Sequence, residues 1–390
     1  MNQKKTALAL TALAAIASTL ADVSAAADVK IYGQANVALY YNSPKKGDDT
    51  LIMQNESSRF GFRATENLTP ETSVNVHLET GFNIDTGALT QNGGNNTGTT
   101  LFDRRAFVSV KNTHYGEFAF GRMGTVRSTM APFGYTLGML DPFGTMYGPD
   151  GTISSIFGND TRANNTITYL SPAMAGFTAG LSYSLATYDN ENEDSSKNNR
   201  HLAGMINYRN GPVYLVLSAT QAWYGKDSGG SDKVNYDRKD SQAYTFGGFY
   251  NFTPDFRVYA AAQYNKNFRN VAGWNLDSSK FRFDSTADRY NGVDGVSALV
   301  GMTWRIGSWN LIADYLYFDG DHELADGTKQ DGSRYVINGA VEYYLSKRTR
   351  LMASLHWSEG ADALGSTEVV RQGGSDLTRL GARLGMIHYF

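Results

Sequence analysis

The segment Val29-Lys30-Ile31-Tyr32-Gly33-Gln34-Ala35-Asn36-Val37-Ala38-Leu39 decides how the rest of the chain must be read. Val29, Ile31, Gly33, Ala35, Val37 and Leu39 share one face of an extended chain; Lys30, Tyr32, Gln34 and Asn36 share the other. Side chains alternate across a strand, so a period of two predicts a strand with one apolar and one polar surface. The same alternation returns along the whole chain. Val74, Val76 and Leu78 oppose Asn75, His77 and Glu79, and Phe177, Ala179, Leu181 and Tyr183 oppose Thr178, Gly180, Ser182 and Ser184. Phe256, Val258, Ala260 and Tyr264 oppose Arg257, Gln263 and Asn265. Leu351, Leu355 and Trp357 oppose Arg350, Ser354 and His356, and the final run sets Leu380, Leu384, Met386 and Phe390 against Arg379 and Arg383.

Two architectures produce such strands. A soluble sandwich buries the apolar face and wets the polar one; an outer-membrane barrel turns the apolar face to lipid and the polar face to a lumen. The connections separate them. Tight turns at 66–72, 111–116, 171–176, 209–211, 253–255, 305–307 and 346–349 alternate with long polar stretches. Those stretches cover 42–56, 84–102, 124–163, 188–200, 224–240, 267–293, 320–331 and 358–376. Seven turns and eight loops join sixteen strands, with one short end and one long end, as in a membrane barrel. Closure also pairs every backbone group, as lipid requires. The expected fold is therefore all-β: a sixteen-stranded antiparallel transmembrane barrel.

Composition agrees. The 390 residues include 24 Tyr, 20 Phe and 41 Gly but only 8 Pro, and no stretch has the helical period. No run reaches the roughly 18 apolar residues of a membrane helix. Lys4 and Lys5, an apolar run Thr6–Leu20 and small residues Ser24–Ala27 resemble a secretory signal peptide, expected to span 1–26 and to be cleaved after Ala26, leaving the barrel as 27–390. Without Lys4, Lys5 and Asp22, the 35 basic and 38 acidic residues become 33 and 37. That balance gives no basic face for nucleic acid. Cysteine is absent, so no disulfide stabilises this exported chain. No metal-ligand spacing, nucleophile–base pair or phosphate loop is present, so neither a metal, a cofactor nor a catalytic site is expected, and His77, His114 and His356 read as ordinary wall or turn residues.

The longest connection is also the least ordinary. Between the strand patterns Gly116–Met123 and Asn164–Ser171 runs a stretch rich in Gly, Met and aromatics, carrying only Asp141, Asp150 and Asp160 as charges after Arg127. A loop this long is uncommon and usually functional or disordered. Disordered segments are poor in aromatics. We expect residues 124–163 to fold into the barrel interior and pack against its wall.

These features resemble the general diffusion porins of Gram-negative bacteria, in particular the β-proteobacterial and neisserial branch. Val29-Lys30-Ile31-Tyr32-Gly33 resembles the opening V-x-L-Y-G of that family, and Ser58–Arg63 followed by Glu66-Asn67-Leu68 resembles S-R-x-G-F-K-G-x-E-D-L. Leu78–Phe82, Leu101–Val108, Gly121-Arg122, Arg162–Asn165 and Tyr169–Pro172 fit successive family blocks, and His388-Tyr389-Phe390 is similar to its His-x-Phe ending. The chain departs from the family at Arg63-Ala64, where Lys-Gly is frequent, at Arg105, where Gln is common, and at Asp141-Pro142-Phe143-Gly144, where many relatives have Pro-Glu-Phe-Gly.

The resemblance implies a third loop that narrows the pore, with Arg59, Arg104 and Arg162 on the facing wall and Asp141, Asp150 and Asp160 on the loop. Arg63, Arg105 and Glu79 complete the expected constriction set. Alternation independently turns Arg59 and Arg162 inward, whereas Arg104 shares parity with Ala106, Val108 and Val110 and is assigned by resemblance alone. Opposed Arg and Asp rows across a wet gap would create a transverse field. A lean toward anions follows from the family branch and the additional Arg105. Arg122, in phase with Phe118 and Phe120, is expected at a subunit contact of a homotrimer, with the loop 84–102 latching over a neighbour. Phe390 resembles the signal read by the barrel assembly machinery, and outer-membrane lipid and lipopolysaccharide are the expected surroundings. Tyr40, Tyr41, Tyr343, Tyr344 and Tyr389 are expected in the aromatic girdles. The resemblance thus implies an outer-membrane channel for ions and small hydrophilic solutes. A substrate-selective channel, using Phe133, Tyr135, Phe143 and Tyr147, is the alternative; an adhesin or an outer-membrane enzyme is the third class weighed.

Overall fold

The computed structural model describes residues 28–390 except 90–99, 134–135, 145–146, 148–150, 161, 188–193, 226–237, 277–287, 289 and 372–374. The signal peptide, Asp150, Tyr135 and the middle of the loop 84–102 lie outside the described residues. Sixteen antiparallel strands follow one another around a closed cylinder. They are β1 (Asp28–Pro44), β2 (Thr50–Asn55 and Arg59–Asn67), β3 (Thr72–Gly81), β4 (Arg105–Asn112), β5 (Gly116–Gly124), β6 (Arg162–Leu170), β7 (Phe177–Ser184) and β8 (Arg200–Asn210). The second half comprises β9 (Val213–Trp223), β10 (Ser241–Asn251), β11 (Phe256–Phe268), β12 (Val293–Ile306), β13 (Trp309–Glu323), β14 (Lys329–Tyr344), β15 (Thr349–Asp362) and β16 (Arg379–Tyr389). Each pairs with its neighbour in sequence, and β1 pairs with β16 from Gln34↔Tyr389 to Pro44↔Arg379, which closes the sheet. The two halves of β2 both pair with β1, shifted by one residue where Ser57 takes a φ of 66°. This is a bulge, with one more residue on the bulged strand than on its partner.

Burial follows the alternation. Ile31, Ile206, Leu217, Phe246, Val300, Leu355 and Leu384 are among the exposed residues of the outer face, while Gln34, Asn36, Thr168, Ser182, Thr245 and Ser297 are buried on the inner one. A contiguous exposed apolar band would be a liability in water; around a barrel it is the surface that lipid covers. At the turn end the band carries ring contacts between neighbouring strands: Phe118 with Tyr169, Phe177 with Tyr208, Phe256 with Trp304, and Trp309 with Tyr343. Of the five tyrosines expected in girdles, Tyr41 and Tyr343 face outward. Tyr40, Tyr344 and Tyr389 turn into the lumen, because their strand parity is that of Ala38, Glu342 and Arg383. There Tyr40 stacks on His356, and Arg350 donates to the hydroxyls of both Tyr344 and Tyr389.

The seven tight turns stand where they were expected. Two of the eight loops are shorter, at 45–49 and 324–328, because β1, β13 and β14 run as long ribbons of 17, 15 and 16 residues. Strand and loop are hard to tell apart by composition once a strand leaves the membrane, since both of its faces are then wet.

The described residues of the stretch 125–160 leave β5 and fold into the barrel. Gly121 makes the departure possible: its φ of 136° lies outside the range of ordinary side chains, and a Cβ there would sit 2.2 Å from the Ala106 carbonyl oxygen. The ladder to β6 slips between Gly121 and Met123. Leu137, Leu140, Ile153, Ile156 and Phe157 then pack onto Ala203, Val216, Ala243, Ala261 and Leu299 of the inner wall. Phe143 and Tyr147 reach further, to Ala38, Ile312, Met352 and Ile387. Each such side chain removed from water contributes about 1.5–3 kcal/mol. The inner wall is accordingly not uniformly polar: where the loop docks it carries Ala, Val, Leu and Ile on both faces. Gly301 lies under Pro142, where a Cβ would meet the proline ring at 2.8 Å.

Candidate functional site

A docked loop must satisfy its backbone groups, and wall side chains do so here. Ser297 Oγ donates to the Ile156 carbonyl at 3.1 Å, Arg334 Nη1 to that of Ser155 at 3.0 Å, and Gln263 Nε2 to that of Gly158 at 3.1 Å. Tyr147 donates to Glu342 at 2.6 Å. Arg127, fully buried, donates to the Gly158 carbonyl and forms an ion pair with Asp160 at 2.7 Å. Two residues 33 positions apart thus tie the outgoing and returning arms of the loop together.

The opposite wall is basic. Glu79 on β3 lies 2.8 Å from Arg104 Nε and 3.8 Å from both Arg59 and Arg105. Arg162, at the start of β6, is buried and within electrostatic range of Arg104, Arg105, Glu79 and Asp103. Arg63 sits nearer the turn end, stacked 4.4 Å above the Tyr32 ring, with His77 and Glu79 both bonded to the Tyr32 hydroxyl. Five guanidiniums therefore share one neighbourhood with two carboxylates, Glu79 and Asp103, and Asp103 already accepts from the Gly81 amide at 3.0 Å. Arg suits this role because it stays charged and its planar fork can share one carboxylate with neighbours. Arg104 reaches this cluster despite its parity because β4 begins one residue later, at Arg105. Outside the ladder, alternation does not bind it.

The loop acids are placed otherwise than expected. Asp141 is not presented to the arginines. It is buried, and its carboxylate accepts from the amides of Phe143 at 3.1 Å and Ile153 at 3.2 Å, folding the loop around itself. Burial pushes its carboxyl up to about 7, against the pull of those amides. Asp160 is spent on Arg127 and, at 3.2 Å, on His201; burial opposes its charge, but these two partners hold it below the usual carboxylate range. A loop that docks by its apolar side chains also buries the polar ones between them, which is why two of the three expected pore acids became internal struts. Arg122 keeps the outward parity of Phe118 and Phe120, yet it donates to the Asp103 carbonyl at 2.6 Å and to Asn164 at 2.5 Å within its own subunit.

Other anchoring residues lacked a sequence signal. Arg383 and Glu56 form a buried pair at 3.0 Å beside Tyr40, joining strands 327 positions apart. Arg127 had one: it and Asp160 bracket a stretch with little other charge.

The sequence pattern of the Gram-negative porin family matches residues 6–363. An outer-membrane porin protein of Bordetella pertussis is 27% identical over 389 residues, covering 90% of this chain and 93% of that one. In fold, the chain resembles an anion-selective porin from Comamonas acidovorans (TM-score 0.67, 23% identity, 93% of this chain and 100% of that one). It also resembles the trimer form of OmpT from Vibrio cholerae (TM-score 0.58, 17% identity, 94% and 100%). The lumen is wet, narrowed from within and sheathed in an apolar band, and the family pattern covers nearly the whole length. The chain therefore belongs to the Gram-negative porins, outer-membrane proteins whose barrel forms a water-filled channel for passive diffusion of ions and small hydrophilic solutes.

Proposed function

We propose that this porin prefers anions, and that Arg59, Arg104, Arg105 and Arg162, with Arg63 below them, form its constriction wall opposite the loop. The observation that carries the reading is the charge imbalance: five guanidiniums against Glu79 and Asp103, with Asp141 and Asp160 turned inward to the loop's own bonds. At physiological salt the Debye length is about 8 Å, so such a cluster acts only on ions forced close to it. The related Comamonas fold belongs to a porin described as anion-selective, which agrees with this reading. Asp150 is assigned to the loop face of the constriction on the same reading.

The channel acts as a homotrimer, as does the OmpT form named above, with Arg122 on the outer face at the subunit contact and the loop 84–102 over the neighbour. It is a passive conduit without a catalytic step, exported by its signal peptide 1–26, inserted by the barrel assembly machinery through Phe390, and surrounded by outer-membrane lipid and lipopolysaccharide. Reversal potentials in a KCl gradient test the central claim. Wild type should favour chloride, and Arg104→Gln combined with Arg59→Gln should move the potential toward that of an unselective pore. A wild-type potential that favours potassium defeats the reading.

A further inference from the structure

We infer that a cavity of about 280 Å³ at the extracellular ends of β6 to β11 is a binding site for a small organic anion, a carboxylate carried on a planar apolar body. The cavity lies beside the constriction, behind the root of the inturned loop, and three arginines line it: Arg162, Arg200 and Arg269. Among the described lining residues its one acid, Asp160, is already paired with Arg127 and His201.

The polar groups of the cavity are incompletely used. Arg162 Nε and Arg200 Nε are buried without a hydrogen-bond partner among the described residues, and so is His201 Nδ1. Arg162 is 5% exposed and has no ion-pair partner among the described residues; its charged neighbours are two cations, Arg104 and Arg105, and two acids, Glu79 and Asp103, that the arginine cluster already shares. A buried charge without a directly paired counter-charge is costly. An anion entering the cavity would supply both the counter-charge and the missing acceptors, and charge-assisted bonds to guanidinium are among the stronger ones.

The remaining wall sets the body of the ligand. Tyr224 and Phe268 line the same space, and the Arg269 guanidinium stands 6.0 Å from the Tyr224 ring centre. Ring faces along the wall favour a flat apolar body over a hydrated inorganic ion. The volume lies just under the roughly 300–1,000 Å³ of drug-sized sites, so one ring with one acidic group is the matching size. This site goes beyond charge preference: it holds a solute rather than merely admitting it.

Benzoate is the probe, with benzamide as the neutral control. In planar bilayers with KCl, benzoate added on the loop side should reduce conductance saturably, and benzamide should not. Arg269→Gln should raise the half-blocking concentration at least tenfold, Arg269→Lys should restore most of the block, and both variants should keep the wild-type conductance and reversal potential in KCl alone. Equal block by benzamide, block that rises without saturation, or block unchanged in Arg269→Gln but lost in Arg104→Gln would each overturn the site. Because the reversal potential is read in the same membranes, failure of this site is distinguishable from failure of the anion preference.

Discussion

Asp141 carries an acidic group into a place where its charge is unwelcome, and the consequence is a pH-dependent loop. Its carboxyl is raised to about 7 in the folded loop, above the ordinary value near 3.8 that it has when exposed. The folded form therefore holds the proton more tightly than the undocked one, and docking weakens as pH rises through that interval. The loss is on the order of 4 kcal/mol at most. Amide exchange of Leu137–Phe157, corrected for intrinsic rates, should be faster at about pH 8 than at about pH 5, and Asp141→Asn should abolish the difference. At the opposite wall, Glu79 neutralises part of the arginine cluster. Glu79→Gln should strengthen the preference for chloride, read as a larger reversal potential, while removing one ion-pair partner from each of three arginines.

At the scale of elements, the inturned loop is a small core of its own, held to the wall by apolar side chains and pinned at its base by Arg127 and Asp160. Removing one partner of a buried pair costs up to about 3–5 kcal/mol, and without Arg127 the buried Asp160 would keep only His201. Arg127→Ala should therefore loosen the loop without opening the barrel. Single-channel records should show larger and noisier conductance, and the released Asp160 should lower the chloride preference. A substitution in the wall should act from the other side: Gly301→Val would strike Pro142 and displace the loop tip, with a similar gain in conductance.

At the scale of the whole molecule, the decisive event is closure. The amides of Gly33 and Phe390 donate to each other's carbonyls at 3.0 and 3.1 Å, and the Phe390 ring lies over Gly33, where a Cβ would sit 2.3 Å from it. The seam thus needs a residue without a side chain on one strand under a phenyl ring on the other. Gly33→Leu, and deletion of Phe390, should both lower the fraction of folded barrel, measured as the heat-modifiable band on a gel. In a closed sheet no edge is left to pair with another chain, so seam variants should aggregate rather than merely melt at lower temperature.

The sequence by itself determined the sixteen strands, their inward and outward faces, the seven turns and the identity of the long loop as something packed. These were legible because a period of two and the turn residues are local properties, repeated in every strand from Val29 to Phe390. It also marked Arg59 and Arg162, whose neighbours in the ladder set their direction. The tertiary structure alone decided where Asp141 and Asp160 went, since a loop folding on itself obeys no period and its acids satisfy whichever donors docking brings near. Arg104 beside Arg105 at Glu79 was implied by the family resemblance but not by alternation, because it depends on where a ladder begins; that Arg383 meets Glu56 the tertiary structure alone decided, because only closure brings the last strand beside the first. Charge could be counted along the chain, but which charges remain open to the channel depended on the partners that folding assigned to the rest.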